Sequence, residues 1–144
     1  METRVHAPLP SFTDLPFGAP AEIVHVLDLP CPPSLNALWR SNRGRVHKSG
    51  AYTKWLGQAD IAAVVGKYMR GRKTILGAFE ARIRIVCGAT KADIDNVGTK
   101  ALFDWAQSRG FIANDKNCVR YSVEWTAADM MPNSCRLTLR SIGA

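Results

Sequence analysis

The chain of 144 residues is 47% hydrophobic and 22% charged, with a formal net charge of +7 at pH 7. That length fits one compact domain able to bury roughly two thirds of its unfolded surface, and no apolar run approaches the roughly 20 residues of a membrane span. Met1 to Ala21 also lacks the basic start and apolar core of a secretion signal, so the expectation is a soluble, cytoplasmic protein without a membrane partner.

Residues 1–20 carry Pro8, Pro10, Pro16 and Pro20 with little periodicity and read as an extended or disordered arm. Residues 21–144 are then the folded domain. Ile23, His25, Leu27 and Leu29 share one face of a strand that Pro30 ends, which makes His25 a strand side chain and not a ligand. Pro32-Pro33-Ser34-Leu35-Asn36 forces a rigid turn, because proline fixes φ and restricts the residue before it. A polar loop is expected next, from Arg40 to Lys48. Ser49 is placed to cap a helix running to about Arg70, with Tyr52, Trp55, Leu56, Ala59, Ala63 and Val64 as its apolar side.

Phe79, Ala81, Ile83, Ile85 and Cys87 alternate with mostly charged residues and give the clearest strand of the chain. A second helix should start near Asp95 or Asn96 and run to Arg109, where Gly110 stops it. Val119, Tyr121, Val123 and Trp125 form another strand, and Cys135, Leu137 and Leu139 a last one, with Pro132-Asn133-Ser134 in the turn between. Strands with two interspersed helices indicate an α/β sheet carrying its helices on one face. Cys31, Cys87, Cys118 and Cys135 lie far apart with no C-x-x-C spacing, so they are expected to be buried, reduced thiols without a metal.

Charge is unevenly spread. Between Arg40 and Lys73 nine Lys or Arg face one acid, Asp60, giving this segment +8. Such a block attracts a polyanion through counterion release; the plainer alternative is a solvated basic face that aids solubility. The acids, by contrast, gather: Asp93, Asp95 and Asp115 fall with Lys100 inside 23 residues. In an extended run Asp93 and Asp95 point to one side and Ile94 to the other. Lys100 projects one helical turn beyond Asn96. Converging carboxylates repel unless a cation compensates them, and hard oxygen donors favour Mg²⁺ or Mn²⁺ over zinc. A helix start adds unpaired N–H groups that suit a phosphate. On spacing alone the same residues also read as a helix cap (Asp95 or Asn96), a surface ion pair (Asp104 with Lys100) and a turn residue (Asp115). Asp93, Asp95, Gly98 and Asp104 also fit positions 1, 3, 6 and 12 of a calcium loop, which fails at Val97, where an oxygen is required.

Three stretches together resemble the RusA family of Holliday junction resolvases. They are Pro32-Pro33-Ser34-Leu35-Asn36 with Asn42-Arg43-Gly44-Arg45, Asp93-x-Asp95-Asn96-x-x-x-Lys100-x-x-x-Asp104, and Gly110-Phe111-Ile112-x-Asn114-Asp115-x-x-x-Val119. The resemblance implies a single α/β domain with a mixed, mostly antiparallel sheet and two main helices. It also implies a magnesium-dependent endonuclease that cuts four-way DNA junctions in recombination and repair. By position it assigns Asp93, Asp95 and Asp115 as catalytic metal ligands and Lys100 as the lysine needed for cleavage. Asn96 and Asn114 stand behind those ligands, and Arg40, Arg43, Arg45, Lys48 and Lys91 are the expected DNA contacts. A homodimer follows, since a two-fold junction needs two matched cuts. Trp39, Trp55, Trp105 and Phe111 are candidates for its interface, with ordinary core as the alternative.

The chain departs from the family at three places. Asn114 precedes Asp115 where two acids are frequent, only Lys91 precedes Asp93 where a basic cluster can occur, and Gly98 sits early in the second helix at a cost of about 1 kcal/mol relative to alanine. The Asn114 departure leaves a second reading, a junction-binding protein that has lost cleavage.

Overall fold

In a computed structural model the structure describes residues 22–86, 97–125 and 133–143. Six strands and two helices follow in the order β1 (Val24–Pro30), β2 (Trp39–Asn42), β3 (Arg45–Lys48), α1 (Gly50–Val65), β4 (Phe79–Val86), α2 (Thr99–Ser108), β5 (Cys118–Trp125) and β6 (Ser134–Ser141). Four strands form one sheet in the order β1-β6-β4-β5, and β2 with β3 forms a separate hairpin. β6 runs antiparallel to both β1 and β4, while β5 lies parallel to β4. The sheet is thus mixed and mostly antiparallel, as the family resemblance implies.

Alternation in the strands decides where the core lies. Leu27 and Leu29, Leu137 and Leu139, and Ala81, Ile83 and Ile85 are buried on one face. Tyr52, Trp55, Ala59 and Ala63 of α1 join them, as do Ala101, Leu102, Trp105 and Ala106 of α2. The other face is open to solvent and carries ion pairs such as Arg82 with Glu124, Arg120 with Glu80 and Arg136 with Asp28. Trp55, Trp105 and Phe111 belong to the core, whereas Trp39 remains 42% exposed. His25 is a strand side chain as expected, its ring edge-on to Phe111 and its Nε2 2.8 Å from the Lys73 carbonyl oxygen.

Ser49 caps α1: its hydroxyl accepts the Tyr52 N–H at 3.0 Å and donates to the Ala37 carbonyl at 2.6 Å. The helix stops at Val65, short of the expected Arg70. Lys67 takes a positive φ of 60° and the Tyr68 N–H reaches back to the Ala63 carbonyl at 3.0 Å, the closing bond of a Schellman end. The expected loop from Arg40 to Lys48 is in fact the β2–β3 hairpin. Arg43 and Gly44 both have positive φ, 53° and 77°, the geometry of the two-residue turn that matches strand twist.

α2 also differs from expectation, starting at Thr99 with Gly98 as its cap residue instead of at Asp95 or Asn96, which lie outside the described residues. A Cβ on Gly98 would stand 2.1 Å from the Pro33 carbonyl oxygen. The glycine is therefore required by the close approach of the chain's own proline turn. Gly110, with φ of 81°, ends the helix as predicted. Among the cysteines, Cys118 and Cys135 are free, and burial pushes the Cys135 thiol up to about 12. Cys31 is disulfide-bonded, which corrects the expectation of four reduced thiols.

Candidate active site

The site forms where α2 meets the turn before β5. Lys100, Asp104 and Gln107 follow one another at four and three residues, so they line one face of α2. The 3₁₀ turn Asp115–Asn117 lies across that face. Two contacts hold it there: the Asp115 N–H donates to Gln107 Oε1 at 2.9 Å, and Lys100 Nζ approaches Asp115 Oδ2 at 3.5 Å. On the other side Lys100 Nζ lies 3.1 Å from Asp104 Oδ1. The lysine is shared between two carboxylates, and they hold its pKa above the usual lysine value, Asp104 more than Asp115.

Asn114 serves as cap of the turn that presents Asp115. Its Oδ1 accepts the Lys116 N–H at 2.9 Å, so the amide fixes the geometry of Asp115 from behind. Residue periodicity could have found Gln107, which continues the 100–104 spacing. Tyr52 could not have been found that way. It comes from α1, is 1% exposed, and stands close enough to the site that Asp104 adds to a rise in its pKa caused first by burial, with Lys100 opposing. Trp39 meets the Tyr52 ring edge-on at 5.7 Å and Lys48 Nζ lies 5.9 Å from the same ring. Tyr52 thus packs under the basic hairpin while lying close enough to Asp104 and Lys100 to feel their charges.

Arg40, Arg43, Arg45 and Lys48 all lie on that hairpin and are exposed. Lys91, Asp93, Asp95 and Asn96 lie outside the described residues. Among the described residues no group of three or more His, Cys, Asp or Glu gathers that could hold a metal. Asp115 fits a hard cation by its chemistry: its partly exposed carboxylate engages Lys100 only through Oδ2, leaving oxygen lone pairs open of the kind Mg²⁺ accepts.

No family profile matches the chain. Individual relatives do. Over 101 residues it is 37% identical to the crossover junction endodeoxyribonuclease rusA of Enterobacteria phage 82, covering 67% of this chain and 78% of the relative. The crossover junction endodeoxyribonuclease RusA of Escherichia coli K12 is 36% identical over the same length and the same shares. That of Shigella sonnei is 36% identical over 100 residues, again covering 67% of this chain and 78% of the relative. The chain belongs to the RusA family. In this RusA-family chain the Lys100–Asp115 contact joins two residues that the motifs single out. Two of the four residues assigned by position, 15 apart in sequence, meet at 3.5 Å.

Proposed function

We propose that this RusA-family endodeoxyribonuclease resolves four-way DNA junctions by paired phosphodiester cleavage, in recombination and repair. The observation that carries the reading is the approach of Asp115, from the turn before β5, to Lys100 at the start of α2, directly after the Asp93-x-Asp95 stretch. Asp93, Asp95 and Asp115 would hold Mg²⁺, with Mn²⁺ as a substitute. When bound, such an ion polarises the phosphate and lowers the pKa of water.

The chain's own residues do the rest. Lys100, held cationic by two carboxylates, offsets charge that builds on the phosphoryl oxygens, and Asp104 keeps its ammonium from swinging into solvent. Asn114 and Gln107 fix Asp115, and Asn96 supports the two acids before α2. Arg40, Arg43, Arg45, Lys48 and Lys91 attract the backbone, a type of contact that positions DNA without reading sequence. A homodimer supplies two centres for the two matched incisions.

The test is a gel assay of synthetic four-way, flap and linear DNA with Mg²⁺, Mn²⁺ and Ca²⁺. Paired nicks in the four-way substrate are expected with Mg²⁺, and Asp95→Asn should abolish them. Cleavage by Asp95→Asn at the wild-type rate would end the assignment. A junction binder that has lost cleavage would instead bind in a salt-sensitive way and give no products with any metal. Asn114 speaks against decay, since it has a positive role as the cap beneath Asp115.

A further inference from the structure

The β2–β3 hairpin is built differently from the other strands. All eight of its strand residues are exposed, Val46 to 70%, and a two-stranded ribbon without a buried face is marginal in water by itself. Alternation and register put Trp39, Ser41, Val46 and Lys48 on one face and Arg40, Asn42, Arg45 and His47 on the other. The first face is seated at its base, where Trp39 and Lys48 pack on Tyr52. The second is not: among the described residues, the side chains of Asn42, Arg45 and His47, and of Arg43 at the tip, have no hydrogen bond, ion pair or ring contact.

Charge also sets the hairpin apart from the open face of the sheet. It carries Arg40, Arg43, Arg45 and Lys48 and no acid. The arginines on the open face of the sheet are matched instead: Arg82 by Glu124, Arg120 by Glu80, Arg136 by Asp28 and Arg140 by Glu22. A polyanion is thus drawn to the hairpin and not to the sheet.

We propose that the β2–β3 ribbon enters the major groove of a duplex arm beside the cleavage site and meets base edges through Arg40, Asn42, Arg45 and His47. The proposal rests on the DNA-cleavage reading above and goes beyond backbone attraction. Two strands about 4.8 Å apart with side chains on both faces suit a groove about 12 Å wide and exclude one of about 6 Å. Four residues per strand project roughly 13 Å, enough to reach a floor about 8.5 Å deep. This second face carries the groups that read base edges there, arginine for guanine O6 and N7 and asparagine for adenine N6 and N7. Trp39 and Lys48 pack on Tyr52 of α1, so the base of the ribbon is seated on the same domain that carries Lys100 and Asp115.

Dimethyl sulfate methylates guanine N7 in the major groove and adenine N3 in the minor groove, so it reports directly on this placement. Wild-type protein bound to a four-way junction in EDTA should protect a short run of guanine N7 positions in an arm and leave adenine N3 reactive. The Asn42→Ala/Arg45→Ala variant should lose that protection and bind the junction at least roughly five-fold more weakly, the lower end for one base-edge contact. Tight wild-type binding with unchanged N7 reactivity, or with N3 protected in its place, overturns the ribbon placement while leaving cleavage intact. So does a variant that keeps the N7 footprint. A wild-type protein that neither binds nor cuts any of these DNAs would instead overturn the cleavage reading, and the ribbon with it.

Discussion

Lys100 is held between Asp104 and Asp115, at 3.1 and 3.5 Å, and this sharing sets what each substitution should do. If Lys100 faces developing phosphoryl charge as proposed, Lys100→Met should lower single-turnover cleavage about 10²- to 10³-fold, while junction affinity changes little. Loss of affinity in step with rate would mean that the lysine only attracts DNA. Asp104→Asn keeps an acceptor on the same helical face and should cost less than either Lys100→Met or Asp115→Asn in the same assay. Asp104 was legible in the sequence as an i, i+4 partner of Lys100. Asp115 was grouped with Lys100 by the family motif, and the connection after Gly110 is long enough for it to return, although spacing permits that return without dictating it. Tyr52 was read correctly as buried, but its place beside the site comes from the packing of α1 against α2, for which no local pattern exists.

α2 meets other segments at two points. At one, Asp60 of α1 accepts from Trp105 Nε1 at 2.9 Å and from Arg109 Nε at 2.7 Å, stapling α1 to α2. Its hydrogen bond with Arg109 is the main reason its pKa is lowered from the ordinary 3.8. A lowered carboxylate pKa contributes stability that is present above the unfolded value and lost as pH falls through the folded one. The gap in urea midpoint between wild type and Asp60→Ala should therefore be constant near neutrality and shrink only below pH 3.8. Near neutrality the variant should lose about 1–3 kcal/mol, mainly because the buried Trp105 N–H is left without an acceptor. A gap that shrinks already between pH 5 and 7 would contradict this. At the other point, Gly98 lies against the Pro33 carbonyl. Gly98→Ala should be destabilising by about 1–3 kcal/mol, as overpacking is, although alanine favours helices, and it should slow cleavage by displacing the start of α2; an unchanged melting temperature would show that the contact is not needed. The two prolines and the glycine were visible in the sequence, yet their contact joins segments more than 60 residues apart. The hairpin was misread for a different reason. Its strands bury nothing, so the hydrophobic alternation that marks β4 is missing, and only the Arg43-Gly44 turn betrays it.

For the molecule as a whole, net charge is a poor guide to where DNA binds, because charge and free charge differ. The +7 excess lies on surfaces that differ in how far acids compensate it. On the open sheet face, strand register places acids opposite arginines, as with Glu80↔Arg120 and Arg84↔Glu124, so those cations are already compensated by the fold. On the hairpin no acid competes. Salt dependence separates these cases. The logarithm of junction affinity should fall linearly with the logarithm of salt concentration, at a slope near 0.9 per phosphate neutralised. Replacing Arg43 and Lys48 by alanine should lower that slope by about 2. Replacing Arg82 and Arg120, the same formal charge, should leave it unchanged, since each already neutralises a glutamate and not a phosphate. Fluorescence anisotropy of a labelled four-way junction across a salt series measures both variants in one experiment. Equal losses of slope would mean that the sheet face binds DNA after all and that its ion pairs open to do so.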